Sequence, residues 1–336
     1  MVAISAHLPA QELLFGVNIP WWGGSYCHDL GRNARYPGWS VWYRGDEISR
    51  TLRWLRTSGI EIIRLWLFEA AEGLLYDSEG FVIGLDSEFQ RNLEDLVARI
   101  EAADLRVYWT LLDANSVYRS NDMITLMILS KQECALQFLK YALTPIAPLL
   151  RKVAWGFDLC NEPEAIITGN CGNWTSCGVS WAIVREPLLA IRVASTRLWP
   201  DMPISIGSGW HECKNLRSGV YERLSLNLDF YDFHDQRNIP YISGQADVAI
   251  NSKVVVGELG IGGNPAMPVS RDEWRVAQAT LAKKVECLRY SNYKAVFLWY
   301  LSDWNSQDVG GLIYRGEVSS ALHCIAHYNN SIVPKF

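Results

Sequence analysis

Two glutamates close strand-like apolar runs. Glu162 ends Asp158-Leu159-Cys160-Asn161-Glu162-Pro163, and Glu258 ends Val254-Val255-Val256-Gly257-Glu258. A carboxyl group kept protonated by its surroundings can give up a proton, and a second one kept ionised can act as a nucleophile. Glycoside cleavage needs such a pair: one carboxyl protonates the leaving oxygen while the other attacks the anomeric carbon. A lone Glu at a strand end is more often a solvated or ion-paired rim residue. The chemistry therefore depends on which elements carry the two glutamates and whether those elements bring them together.

Short apolar runs bounded by turn residues recur eight times, at Leu14–Ile19, Glu61–Leu67, Arg106–Leu112, Ala154–Asn161, Pro203–Gly207, Leu228–His234, Lys253–Leu259 and Ala295–Tyr300. Runs that are apolar throughout suit parallel strands covered on both faces, since alternation is needed only where one face meets water. Helical periodicity fills the gaps. Phe89, Leu93, Leu96, Val97 and Ile100 recur at three and four behind a capping box read at Ser87 and Gln90. Trp274, Ala277, Leu281, Val285 and Leu288 follow Ser270 and Glu273 in the same way, and Ser130 with Glu133 is expected to open the segment holding Ala135, Phe138 and Ala142. Pro187 suits the first turn of a helix carrying Leu188, Ile191, Ser195 and Leu198. The helices after the fifth and sixth runs are the least distinct.

Eight alternations at about 42 residues each predict an α/β fold, a single (β/α)8 TIM barrel over residues 1–336. An open dinucleotide-binding sheet is disfavoured, because Gly257-Glu258-Leu259-Gly260 puts Glu where a tight phosphate turn needs a small residue. In such a barrel the chemistry lies at the C-terminal strand ends. The polar residues there are Asn18, Arg64, Asp113, Asn161 with Glu162, Ser208, His234, Glu258 and Trp299. The fourth and seventh strands stand three positions apart around the ring, so both glutamates face one cleft.

With these residues in order, the chain resembles the retaining β-glycosidases of clan A, most of all glycoside hydrolase family 5, the cellulase and mannanase family. The likeness runs from Gly16-Val17-Asn18 to Gly311-Leu312-Ile313, and rests on Asn161-Glu162-Pro163, Glu258, Arg64, His234 and Trp299. It implies that Glu162 is the acid/base and Glu258 the nucleophile. It further implies that Asn161 bonds the 2-hydroxyl of the sugar, that Arg64 holds Glu258 ionised, and that Trp299 is a platform under the sugar ring. No cofactor and no metal are expected. One position departs from the pattern: the family usually has an aromatic, most often Tyr, two residues after the sixth-strand His, where this chain has Gln236. Either Gln236 acts differently, or a Tyr from elsewhere, such as Tyr231 or Tyr300, fills that place.

Fifteen Trp is high for 336 residues. Trp21, Trp22, Trp39, Trp42, Trp210 and Trp304 fall in loops after strands, where sugar stacking needs them, whereas Trp54, Trp109, Trp155, Trp181, Trp199 and Trp274 read as core. Around the catalytic Glu162 and Glu258, the expected substrate contacts are Asn161, Arg64, His234, Trp299, Trp22, Asp113, Gln236 and Trp304. Asp113 could equally cap the next turn, and His234 alone is as often a core histidine.

Charge and composition remove other classes. With 31 Lys and Arg against 36 Asp and Glu the net charge is −5, and no basic block could meet a run of phosphates, so no nucleic-acid partner is expected. The longest apolar stretches reach about a third of the roughly 20 residues a membrane helix needs. Residues 1–11 carry no Lys or Arg and make a poor signal peptide, so a cytoplasmic monomer is expected, or a secreted one if a leader has been removed. Most of the eight Cys are expected to be reduced; Cys171 and Cys177 could close a small disulfide in an oxidising compartment. His323 and His327 lie at i, i+4 but far from the strand ends, and Cys27-His28-Asp29 lacks a second half of a zinc motif.

The expected activity is retaining hydrolysis of β-linked glucan or mannan. The alternatives are an exo-acting β-glucosidase or β-mannosidase, and a barrel that binds carbohydrate without cleaving it. A Schiff-base lyase is weak, since no Lys closes a strand.

Overall fold

A computed structural model describes residues 13–22, 27–167, 178–209, 221–240, 253–262, 270–288, 293–301 and 311–335. Eight parallel strands close into a barrel: β1 (Leu14–Ile19), β2 (Ile62–Trp66), β3 (Arg106–Thr110), β4 (Ala154–Asn161), β5 (Ile204–Ser208), β6 (Tyr231–Asp235), β7 (Val254–Leu259) and β8 (Ala295–Leu298). Each pairs with its sequence neighbours and β1 closes on β8, so β4 and β7 do stand three positions apart. The expected runs match these strands to within about three residues at either end.

Alternation along each strand separates two cores. Outward side chains such as Phe157, Ile63 and Leu65 join the large layer under the helices. The lumen is plugged near its lower end by Ile62, Tyr108, Phe230, Val255, Ala295 and Phe297. That plug is tight enough to demand glycine beside it: a Cβ at Gly16 would lie 2.4 Å from the Phe297 ring.

The helix Ser87–Ala102 buries Phe89, Leu93, Leu96, Val97 and Ile100, and the helix Arg271–Leu288 buries Trp274, Ala277, Leu281, Val285 and Leu288, as the periodicity requires. Caps agree less well. Ser270 and Glu273 form the reciprocal capping box, with each side chain bonded to the other's backbone N–H. At the other two sites the structure corrects the reading. The first helix is capped by Asp86, whose carboxylate accepts from Phe89 N, one residue before Ser87. Ser130 ends a helix (Met123–Ser130) instead of opening one, its hydroxyl bonding back to Leu126 O. Pro187 lies inside the helix Trp181–Leu198, which starts six residues earlier than expected. After β5 only the short Glu222–Leu224 helix is described, and after β6 none is among the described residues.

Trp199 is fully buried, stacked on Phe157 with ring centroids 3.6 Å apart, and its indole N–H donates to Ala147 O at 3.0 Å. Trp54, Trp109 and Trp274 are likewise buried, and Trp155 and Trp181 are half-buried. No described helix is long and apolar enough to cross a membrane. Trp199→Ala removes the largest ring between β4 and its covering helix, and should cost about 3–5 kcal/mol. Urea unfolding measures this; a loss under about 1 kcal/mol would mean that the stack contributes little.

Candidate active site

Above the apolar plug the lumen turns polar, and its centre is Arg64 on β2. The guanidinium is fully buried and divides four hydrogen bonds among three other strands: Nη1 donates to Glu258 Oε1 (2.9 Å) and Asn18 Oδ1 (3.2 Å), and Nη2 to Asp158 Oδ2 (2.7 Å) and Asn161 Oδ1 (2.8 Å). Its plane packs over Trp66, 4.3 Å from the ring centroid. Burial works against the charge, but Asp158, Glu258 and Asp232 outweigh it, and the guanidinium is held charged above even its usual range. Gly207 on β5 makes this crowding possible: a Cβ there would lie 3.0 Å from His234 Nε2, 3.1 Å from Arg64 Nη2 and 3.2 Å from Asp158 Oδ2.

Glu162 is the first residue after β4 and has φ of +46°, in the left-handed region that costs a non-glycine residue roughly 1–2 kcal/mol. The turn is fixed on both sides, by Glu162 N donating to Gly207 O (2.8 Å) and by Ala165 N donating to Glu162 O (3.0 Å). It aims the carboxyl into the lumen, where Oε2 accepts from Asn115 Nδ2 (2.6 Å) and Oε1 lies 2.5 Å from His234 Nδ1. Two residues on, the fully buried Glu164 ties this turn to the end of β5 through Ser208 Oγ (2.5 Å). Burial pushes the Glu164 carboxyl up to about 8, and the neighbouring Glu162 adds to the rise against the opposing Ser208 bond.

Glu258 reaches the same space from β7. A bulge between Phe233 and His234 sets His234 opposite Glu258 in the β6–β7 register. Oε1 takes the Arg64 bond, and Oε2 accepts from Gln236 Nε2 at 3.1 Å. Burial pushes Glu258 up; His234 and Arg64 pull it back, Glu162 adds to the rise, and the net direction is upward. Arg64 thus acts on Glu258 in the expected sense, but burial outweighs it. One oxygen of Glu162, one of Glu258 and a ring nitrogen of His234 lie within 4.8 Å of one another. Among the described residues this is the one group of His, Cys and carboxylate side chains close enough to hold a metal ion, and its atoms are already engaged by Asn115, Arg64 and Gln236.

The remaining expected contacts divide. Trp299 is half-buried, edge-on to Trp66 at 5.8 Å. Trp22 is only 8% exposed and packs into the core instead of lying open, its backbone N–H held by Asp29 (2.9 Å). Asp113 caps the helix Ala114–Ser120 and accepts from Asn161 Nδ2 (2.9 Å), so it orients Asn161. The Asn161 amide thus accepts from Arg64 through Oδ1 and gives one of its two N–H groups to Asp113. Cys27, His28 and Asp29 are buried in turn contacts, and His323 and His327 are exposed on the helix Ser320–Tyr328. Trp304, Trp210 and the Cys171–Cys177 pair lie outside the described residues. Sequence reasoning passed over Asp158 and Asn115. Asp158 carried a signal, a charge inside an apolar run that must find a buried partner; Asn115, in the first turn of the helix Ala114–Ser120, carried none.

No protein-family model matches the chain, and no curated protein matches it in sequence. Solved structures do match in three dimensions. The β-mannanase of the blue mussel Mytilus edulis superposes with a TM-score of 0.67 at 17% identity, covering 95% of this chain and 92% of that one. The exo-β-1,4-mannosidase of Opitutaceae bacterium strain TAV5 gives 0.61 at 18%, covering 95% and 59%, and the family 1 β-glucosidase of Thermotoga maritima gives 0.62 at 12%, covering 97% and 99%. At this identity the likeness is one of fold: the chain is a (β/α)8 barrel of the same architecture.

Arg64→Met keeps bulk but strands Asp158 and Glu258 without their cation. It should cost about 3–5 kcal/mol and cost more at pH 8 than at pH 5, since unpaired carboxylates ionise more readily in the unfolded chain. Urea midpoints at both pH values test this; equal midpoints for variant and parent would refute the pairing. Glu164 supplies a second pH dependence. With its folded pKa raised, its contribution is present below about pH 4.5 and is lost as pH rises through about 8. Glu164→Gln, which stays neutral, should gain on the parent by at least about 1 kcal/mol between pH 5 and pH 8, and a difference that stays flat with pH would contradict a buried neutral carboxyl.

Proposed function

We propose that the chain is a retaining β-glycoside hydrolase acting on β-linked glucan or mannan, with the whole barrel serving as one catalytic domain. The observation that carries this reading is the closeness of Glu162 and Glu258, whose nearest ligand oxygens fall within 4.8 Å. Retention requires carboxyl groups about 5–5.5 Å apart, whereas inversion needs roughly 6.5–9.5 Å to admit a water between them. Glu162 is the acid/base: its two oxygens are held by Asn115 and His234, which orient the group without supplying a permanent cation. Glu258 is the nucleophile, held by Arg64 and Gln236.

In the first step Glu162 protonates the leaving oxygen while Glu258 bonds to the anomeric carbon; in the second, Glu162 takes a proton from the water that attacks the anomeric carbon, and Glu258 departs as the carboxylate. Asn161 and Trp299 face the sugar bound between them, the first to its 2-hydroxyl and the second beneath its ring. Mannan is favoured over glucan because the mussel and Opitutaceae proteins are a mannanase and a mannosidase.

Glu258→Ala should abolish hydrolysis, and azide should rescue it as an α-glycosyl azide. Glu162→Ala should spare activated aryl β-glycosides more than natural substrates and give a β-glycosyl azide. Assays use aryl β-glycosides beside mannan, glucan and xylan, and unchanged turnover in either variant would refute the assignment. Binding of these glycans with no turnover in the parent would favour a carbohydrate-binding barrel.

A further inference from the structure

The sixth-strand end His234-Asp235-Gln236 puts a carboxamide beside Glu258, where a phenol was the expected group. We infer that Gln236 is the positioning residue for the nucleophile, holding the oxygen that attacks and lowering its proton affinity with an N–H that does not titrate. The inference rests on the reading of Glu258 as nucleophile. Glu258 Oε1 is committed to Arg64 at 2.9 Å, which leaves Oε2 as the attacking atom, and it is Oε2 that accepts from Gln236 Nε2 at 3.1 Å. His234 Nδ1 lies 3.6 Å from the same oxygen and is engaged instead with Glu162.

The loop after β7 is shaped around this amide. A Cβ at Gly260 would lie 2.0 Å from Gln236 Oε1, and one at Gly262 would lie 2.7 Å from Gln236 O, so side chains at either position would displace it. Gly260 N donates to Asp235 O (2.9 Å), and the buried Lys284 bonds both Gly260 O (3.0 Å) and Asp235 Oδ1 (3.3 Å), clamping the two loops together. Tyr231, one candidate for the missing phenol, packs against Tyr221 on the opposite end of β6.

The chemical consequence falls on both steps. As Oε2 bonds to the anomeric carbon and the leaving oxygen departs with the proton of Glu162, Oε2 becomes an ester oxygen and its bond from Gln236 weakens. When water attacks and gives its proton to Glu162, Oε2 leaves with the bonding pair, and the amide again donates to a full carboxylate. The interaction therefore favours release of the glycosyl-enzyme over its formation. It also opposes protonation of Glu258, which is faced by Arg64 from β2, Glu162 from the turn after β4, and Asp232 and His234 from β6, with Asp158 on the far side of the shared Arg64.

The test compares the parent with Gln236→Leu and the near-isosteric Gln236→Glu on an activated aryl β-glycoside. In the Leu variant the acid limb of kcat/KM should move up by about one pH unit. Release of the aryl alcohol should show a burst followed by a steady state slowed about tenfold, so that kcat falls more than kcat/KM. The Glu variant, which adds a like charge and keeps the shape, should move the acid limb further in the same direction. Unmoved acid limbs with kcat and kcat/KM lowered equally would overturn the role of Gln236 while leaving the glycosidase standing. No turnover by the parent on any β-glycoside would overturn both.

Discussion

Arg64 is a cation with no access to water, and the carboxylates and amides that satisfy it come from three other strands. Its pairing with Asp158 is between two wholly buried groups, and a buried ion pair gives little net stability compared with an apolar pair of the same shape. What it supplies is geometry. Because the guanidinium is planar and its donors are fixed in direction, Asn18, Glu258, Asp158 and Asn161 can be satisfied together only in one arrangement of β1, β2, β4 and β7. The side chains with proposed chemical roles are in this way tied to the closure of the barrel.

Charge in that layer is tightly limited. One guanidinium faces Asp158, Glu258 and Asp232, all of them buried. Asp232 resolves the excess by burial, which pushes its carboxyl well above the usual range, against the pull of Arg64. Its Oδ2 accepts from Tyr108, a member of the apolar plug. Burial likewise raises Glu258 and Glu164. Removal from water is thus the reason these three carboxyl groups hold protons at higher pH than free side chains would.

Local backbone irregularities aim the two glutamates. The left-handed residue at Glu162 and the bulges in the β4–β5 and β6–β7 pairings interrupt regular alternation at the strand ends. A regular strand would send neighbouring side chains to opposite faces, and Asn161 with Glu162 could not both reach the lumen. Gly207 and Gly260 are the counterparts on the receiving side, since each leaves room that a Cβ would fill.

Much of this was legible in the chain. The eight apolar runs, the helical faces of Ser87–Ala102 and Arg271–Leu288, and the polar residue closing each run are properties of local composition and period, which burial on both faces of a parallel strand enforces. The placement of Glu162 and Glu258 on strands three apart follows from strand count alone. Caps were read less well, because Ser, Asp and neighbouring polar residues compete for one N-terminal N–H, and the winner at Asp86 is settled by the turn that precedes it. Trp22 shows the same limit: an aromatic in a loop can stack on solvent-borne sugar or sink into the core, and only the path of the loop decides. Asn115, the partners of Arg64 and the amide of Gln236 on Glu258 are contacts between residues from 22 to 194 positions apart. Sequence by itself determined the elements, their order and the two carboxyls, since those depend on near neighbours. Only the tertiary structure decided which donor meets which oxygen, because hydrogen bonding at about 3 Å depends on bulges, turns and glycine vacancies that pattern does not record.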